Sequence, residues 1–253
     1  MKFTKHLFTA AVLAAMGTAA HADILTVVNG GATFTGSGAL TFSADLLGAL
    51  DTGKIAASAY GAATPTILKD TDGFYTSIQV SAPMATLSLD TDTLEVVGVG
   101  TKGGLTLTAP VVKSVSSGGS LTVTDIKADL SSKTIFATII GANGVGTVNN
   151  MALWHFSGLS SQSGGPVTAT ITGLSITPQG LDAFSKSLGL QSLGWATVNG
   201  VTDFGTITTI LAANVLDTPP PLWHVSSIPE PSTYALMGLG LVGLTAMKRR
   251  RVA

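Results

Sequence analysis

The sequence contains no cysteine among its 253 residues. Disulfides, thiolate catalysis and cysteine-based zinc or iron sites are therefore excluded, so stability has to come from the core. Histidine is scarce as well, with four residues in the chain. Because imidazole is the commonest general base and a frequent metal ligand, this scarcity leaves few candidates for catalysis.

Arginine is missing from the body of the chain, because all three arginines stand at positions 249–251. Residues 23–231 hold all 14 acidic residues but only seven lysines. The body is therefore acidic, although the net charge of the whole chain is −1. Since nucleic-acid binding relies on Lys and Arg to neutralise phosphates, this composition argues against a nucleic-acid partner.

The first 22 residues have the pattern of a secretory signal peptide. A basic start at Lys2 precedes an apolar run at 7–16, and Ala20 and Ala22 supply the small residues of an A-x-A cleavage site. The run is too short to span a hydrocarbon core of ~30 Å, which favours a cleaved signal over an anchor. We expect the Sec translocon and signal peptidase to act here, leaving an exported domain at 23–217.

Short runs of Val, Ile, Thr and Leu, broken by Gly, Ser, Asn and Asp, dominate the body. Residues 85–90 alternate apolar with polar, which places one face of a strand on a core and the other in water. The pattern predicts an all-β fold, mainly antiparallel, and leaves sandwich, barrel and solenoid open. Strands are expected at 24–28, 33–35, 39–42, 78–80, 85–90, 94–99, 105–108, 111–115, 121–126, 134–140 and 168–176, with turns at 90–92, 101–104, 117–119 and 131–133.

One or two short helices are expected to interrupt the strands. The stronger one has Thr177 as N-cap and Pro178 in its first turn, and it ends at Gly189. The weaker one covers 43–50, and the run at 207–216 suits either a strand or a helix. A signal helix and a C-terminal transmembrane helix complete the predicted elements.

A duplicated Trp-His pair is the most unusual feature of the body. Trp154 and His155 lie in the sequence LWHFS, and Trp223 and His224 lie in LWHVS. A functional interpretation makes the imidazoles a metal pair, or makes the tryptophans, with Trp195, stacking platforms for a glycan. The alternative is a pair of strands, each with a buried Trp and a surface His.

Two other motifs have simpler explanations. Asp70 and Asp72 show the D-x-D-G spacing that opens calcium loops, but position twelve is a serine, so a surface turn is favoured over a metal site. A G-x-G-x-x-G match at 98–103 leads into another strand rather than a helix, which favours a Gly-rich hairpin over a dinucleotide site. A second match at 238–243 lies in an apolar tail. We expect no cofactor.

Catalysis has little support in the sequence. No G-x-S-x-G elbow nominates a serine, and nothing in the spacing of the carboxylates singles out a pair. We therefore expect a protein that is not an enzyme.

The C-terminus has three parts in a fixed order after a Pro-rich linker at 218–228. Pro229, Glu230 and Pro231 form a rigid turn, an apolar run follows at 232–247, and a basic end covers Lys248, Arg249, Arg250 and Arg251. The apolar run spans about 24 Å as a helix, and the basic end resists translocation. The segment at 229–253 is thus a membrane-entering tail with its basic end on the cytoplasmic side.

This arrangement resembles the PEP-CTERM sorting signal of exported Gram-negative proteins. The resemblance covers about the last 26 residues and implies recognition by a membrane-embedded transpeptidase of the exosortase type. It further implies removal of the tail and transfer to the cell surface or to an extracellular polysaccharide matrix, after a transient stay in the inner membrane. It implies no activity for the body.

These observations together favour an exported, non-enzymatic surface or matrix protein that is structural in a biofilm or envelope. The alternative is a carbohydrate- or small-ligand-binding module that uses Trp154 and Trp223. A secreted hydrolase is a third, weaker hypothesis, since it would need His155 or His224 in a cleft beside an acid and a nucleophile.

Overall fold

The computed structural model describes residues 24–29, 34–93, 95–162 and 167–213. All of these residues belong to one compact unit. The described part consists of twelve strands and three short helices. In chain order they are β1 (Ile24–Val28), β2 (Phe34–Phe42), α1 (Ala44–Thr52), β3 (Ala56–Tyr60), β4 (Thr64–Lys69), β5 (Tyr75–Asp90), β6 (Val96–Thr101), β7 (Gly104–Val112), β8 (Ser116–Asp129), β9 (Thr134–Gly141), β10 (Gly146–Gln162), β11 (Val167–Ile176), α2 (Pro178–Ser187), α3 (Ser192–Asn199) and β12 (Gly205–Ala213).

Eight of the strands close into an antiparallel barrel. Strand β6 completes the ring, because it pairs with the second half of β5 and also with residues 127–129 of β8. The ring runs β5-β2-β12-β11-β10-β9-β8-β6 and back to β5. The all-β expectation is confirmed, and a barrel is the one of its three architectures that the structure adopts. Closure of this kind removes free strand edges along the ring.

The longest strands extend beyond the ring and carry the remaining ones. The first half of β5 pairs with β4, and the first half of β8 pairs with β7, which in turn pairs with β3. Strand β1 pairs with the last five residues of β5. Several expected strands are therefore parts of longer ones: 78–80 and 85–90 both lie in β5.

The turn predicted at 117–119 is wrong, because these residues lie inside β8. Gly118 and Gly119 have φ angles of +89° and +156°. A Cβ atom on Gly119 would lie 2.2 Å from the carbonyl oxygen of Ser187 at the end of α2. Glycine is needed here so that a strand can approach a helix end closely, which a turn signal in the sequence does not reveal.

Helices α1 and α2 confirm the two predicted ones, and Thr177 is the N-cap of α2 as predicted. Ser43 Oγ accepts a hydrogen bond from the N–H of Leu46, and Thr177 Oγ1 accepts one from the N–H of Gly180. Gly189 follows α2 with φ +60°, the left-handed conformation typical of a helix end. Helix α3 was not expected; its N-cap, Gln191, makes no side-chain cap bond, so the sequence lacks the usual start signal. The run at 207–216 suited either a strand or a helix, and residues 207–213 of it belong to strand β12.

The barrel interior is filled with side chains. On β12, Ile207, Thr209 and Leu211 are buried while Ile210 is exposed, as expected for alternation between core and solvent. Among the described residues, two apolar cavities of about 30 Å³ each have room for roughly one water molecule and not for a ligand. The main core cluster also includes the buried faces of α1 and α2.

The expected signal helix and C-terminal transmembrane helix lie outside the described residues. Within the described ranges, the structure contains no helix that is both long and apolar enough to cross a membrane.

Candidate functional site

Trp154 and His155 lie on β10, where the strand has an irregular register. The pairing with β9 shifts between Ala152 and Trp154, so Leu153 is an extra residue and both Leu153 and Trp154 are buried. A bulge of this kind breaks the alternation of a strand. It also anchors the chain before α2, because the N–H of Thr177 donates to the carbonyl of Leu153 and Thr177 Oγ1 donates to that of Ala152.

The Trp154 ring is enclosed by the core, with 4% of the residue exposed. Its centroid lies 6.4 Å from that of Phe204, and Phe204 in turn lies 6.5 Å from Phe184 in an edge-to-face arrangement. Trp154 Nε1 is buried and has no hydrogen-bond partner among the described residues. A ring packed in this way has no face available to a sugar, so its contribution is to the core.

His155 points away from the core and is exposed. Its Nδ1 atom lies 3.2 Å from Thr134 Oγ1 on β9, and on the other side His155 pairs with Ser175 of β11. This segment therefore has the buried Trp and the surface His of the simpler interpretation. Trp223 and His224 lie outside the described residues, so their relation to Trp154 and His155 stays a prediction.

Trp195 is the third tryptophan, and it lies on α3 with 45% of its surface exposed. Leu193 on the same helix is 50% exposed. Trp195 and Trp154 thus have opposite environments, one at the surface and one in the core. The structure does not bring these two rings together as a platform.

Asp70 and Asp72 lie in the turn that joins β4 to β5. Asp70 Oδ1 accepts hydrogen bonds from the N–H groups of Asp72 and Phe74, at 3.0 and 2.8 Å. The carboxylate therefore stabilises its own turn, which is the surface-turn interpretation of this motif. Across the described ranges, no group of three or more His, Asp or Glu side chains is arranged to hold a metal ion.

Two other aspartates act in the same way and have altered acidity. Hydrogen bonds from the N–H groups of Thr93 and Asp92 lower the pKa of Asp90. Burial raises the pKa of Asp129, but hydrogen bonds from Ser131 and Ser132 outweigh burial and leave that pKa lowered. Both carboxylates favour the ionised form, which suits a structural turn rather than a general acid.

The glycine motif at 98–103 joins β6 to β7, so it leads into a strand as expected. The expected hairpin is wrong, however, because β6 and β7 do not pair with each other; both pair with β8. The Gly103 N–H donates to Asp125 Oδ1 at this junction. The second glycine match, at 238–243, lies outside the described residues.

The sequence did not indicate a cleft that lies between α2 and the turn from β9 to β10. It has a volume of about 520 Å³, within the range of ~300–1,000 Å³ that is usual for small-molecule sites. Its lining residues come from two segments: Asn143, Gly144, Val145, Val148 and Met151 from the turn and β10, and Pro178, Gln179, Asp182, Ala183 and Lys186 from α2. The polar face of the helix predicted after Thr177 was the one sequence signal for this cleft. No sequence pattern indicated that residues 143–151 would lie opposite that face.

The residues predicted to direct export lie outside the described ranges. They comprise Ala20 and Ala22 of the signal cleavage site, Pro229, Glu230 and Pro231 of the sorting motif, and Lys248 to Arg251 of the basic end. The role of these residues in export is therefore inferred from the sequence and from its match to a known family.

Residues 227–251 match the PEP-CTERM protein-sorting motif. Neither a curated protein nor a solved structure matches the chain. The match covers the Pro-Glu-Pro segment, the apolar run and the basic end, so the resemblance noted in the sequence is confirmed. The chain is therefore an exported protein that carries a PEP-CTERM sorting signal and is targeted to an exosortase.

Proposed function

We propose that this is a non-enzymatic protein of the cell surface or extracellular matrix, structural in the biofilm or envelope of a Gram-negative bacterium. The observation that carries the proposal is the sorting motif at 227–251. The motif accounts for export and for an exosortase partner; the final location and the structural role are the proposed steps. In this account the tail is removed and the barrel is the part that remains outside the cell.

The chemistry of the barrel supports a role without catalysis. His155 is exposed on the barrel wall and bonds Thr134, a neutral hydroxyl. Asp70 and Asp129 use their carboxylates to hold turns. Each of these three side chains thus takes part in local structure.

A deletion and complementation series in the native cell tests this proposal. We expect the protein in the extracellular polysaccharide fraction, and we expect its deletion to reduce biofilm mass under constant flow. A His155→Ala variant should restore biofilm mass as fully as the unmodified gene, because the role does not depend on an imidazole. Retention of the protein in the inner membrane, or failure of His155→Ala at equal protein level, would argue against the proposal.

A further inference from the structure

The cleft between α2 and β10 has two walls of different chemistry. One wall is apolar and consists of the half-buried side chains of Val145, Val148 and Met151. The other consists of the exposed side chains of Gln179, Asp182 and Lys186 on α2. A ligand that fits between them needs one apolar face and one rim of hydrogen-bonding groups.

The polar wall follows from the helical period. Positions 179, 182 and 186 are three and four residues apart, which aligns their side chains on one face of α2. Asp182 and Lys186 form an ion pair of 2.9 Å, with 60% and 64% of their side chains exposed. Because these charges cancel, the wall offers hydrogen bonds without a net charge, which favours a neutral ligand.

Asn143 provides a fixed acceptor at one end of the cleft. Its Nδ2 group donates to the carbonyl oxygens of Gly118 and Lys186, at 2.9 and 3.1 Å. These bonds hold the carboxamide against α2, and its Oδ1 atom has no hydrogen-bond partner within the described ranges. A ligand hydroxyl can donate to that oxygen without any rearrangement of the side chain.

An extended peptide fits this cleft less well than a sugar. Such a peptide would add to the first part of β10, which pairs with β9 but lies before the residues that pair with β11. The register of this part shifts between Val148 and Met151. Asn150, inside that shift, has a φ angle of +53°. A bulge interrupts the regular spacing of backbone groups that strand addition requires.

We propose that this cleft binds a neutral carbohydrate. The C–H face of a pyranose ring lies on Val148 and Met151, and its hydroxyls bond Gln179, the Asp182–Lys186 pair and Asn143. This site differs from the tryptophan platform considered from the sequence, since neither Trp154 nor Trp195, the two tryptophans that the structure describes, lines it. The proposal goes beyond the structural role above and does not depend on processing of the tail.

Methyl NMR of methionine tests the site directly. The whole chain, with its termini as the native cell leaves them, is labelled at the methionine methyl groups. The probes are cellohexaose, maltohexaose, chitohexaose and the neutral oligosaccharides released from the native cell's own polysaccharide. We expect at least one probe to shift the Met151 methyl resonance saturably, while Met84, which is buried in the other core cluster, stays unchanged.

Paired variants separate the cleft from the rest of the surface. Gln179→Ala with Lys186→Ala should weaken binding at least tenfold, whereas Gln191→Ala with Lys113→Ala, the same exposed residue types outside the cleft, should not change it. Both pairs should retain the thermal midpoint of the unmodified protein. The proposal is overturned if no probe shifts Met151, if the cleft pair binds normally, or if an extended Val-Thr peptide shifts Met151 and the sugars do not.

Discussion

The tail at 227–251 contains every arginine of the chain, whereas the barrel between 24 and 213 contains none and is acidic. The tail is a linear signal: it consists of the Pro-Glu-Pro segment, the apolar run and the basic end in a fixed order. Each of these parts can be identified from its own residues alone. The barrel depends on pairing between distant strands, such as Gly98 with Asp129. The difference teaches that the destination of this protein is encoded locally, while its fold is encoded over long distances.

The largest effect is expected in the tail. Replacement of Pro229, Glu230 and Pro231 by alanine should abolish tail processing, because it removes the Pro-Glu-Pro part of the sorting motif. The barrel should unfold at the same urea concentration as before. Immunoblots of membrane and extracellular fractions measure the first effect, and urea titration measures the second.

A matched control is available in the linker. Pro219, Pro220 and Pro221 lie outside the matched motif, so their replacement by alanine should leave processing intact. Equal loss of processing in both triple variants would show that the tail is not separable from the linker in the way described.

In the barrel, Phe204→Ala should be the most damaging single change. Phe204 is 1% exposed and contacts the rings of Trp154 and Phe184, so truncation leaves a cavity worth about 3–5 kcal/mol of unfolding free energy. Phe74→Ala is the control, since Phe74 is 55% exposed and should cost less than about 0.5 kcal/mol. Similar losses in both variants, measured by urea unfolding, would contradict the core assigned here.

A smaller effect is expected at the start of α2. Thr177→Ala removes the hydroxyl that accepts from Gly180 and donates to Ala152, and it should cost about 1–2 kcal/mol. Thr177→Ser retains the hydroxyl and should recover most of that loss. If the serine variant is as unstable as the alanine variant, the methyl group and not the cap matters here.

The smallest effect concerns acid stability. The pKa of Asp129 is lowered from 3.8, so the folded state binds its proton less readily than the unfolded state. The stabilisation is present above the unfolded pKa and is lost as the pH falls through the lower folded value. Asp129→Asn should therefore flatten the loss of stability from about pH 5 to about pH 2, by less than about 1 kcal/mol for this half-buried group. A steeper loss in the asparagine variant would refute this role.

Local signals in the sequence predicted the local elements of the fold. Helix α2 was the stronger of the two predicted helices because Thr177 is a cap that acts on its own neighbour, Gly180. Edge strands β3 and β4 were missed because their composition, AASAY and TPTILK, is poor in alternating large apolar residues. The choice of a barrel depends on β6, which pairs with strands on both sides, and no local pattern reveals such closure.

The same reasoning applies to the candidate sites. The buried Trp154 and exposed His155 follow from strand alternation, which a five-residue pattern contains. The bulge at Leu153 does not follow from it, since the extra residue is defined by pairing with β9. The cleft was missed because its walls, at 143–151 and 178–186, meet only in the folded chain.

Intact mass spectrometry of the protein isolated from its native cell tests the central claim most directly. We predict a chain that begins near Asp23 and lacks the residues after the Pro-Glu-Pro region, and hence lacks all three arginines. A full-length membrane species that retains Arg251 would contradict the claim that the tail is a signal removed after export.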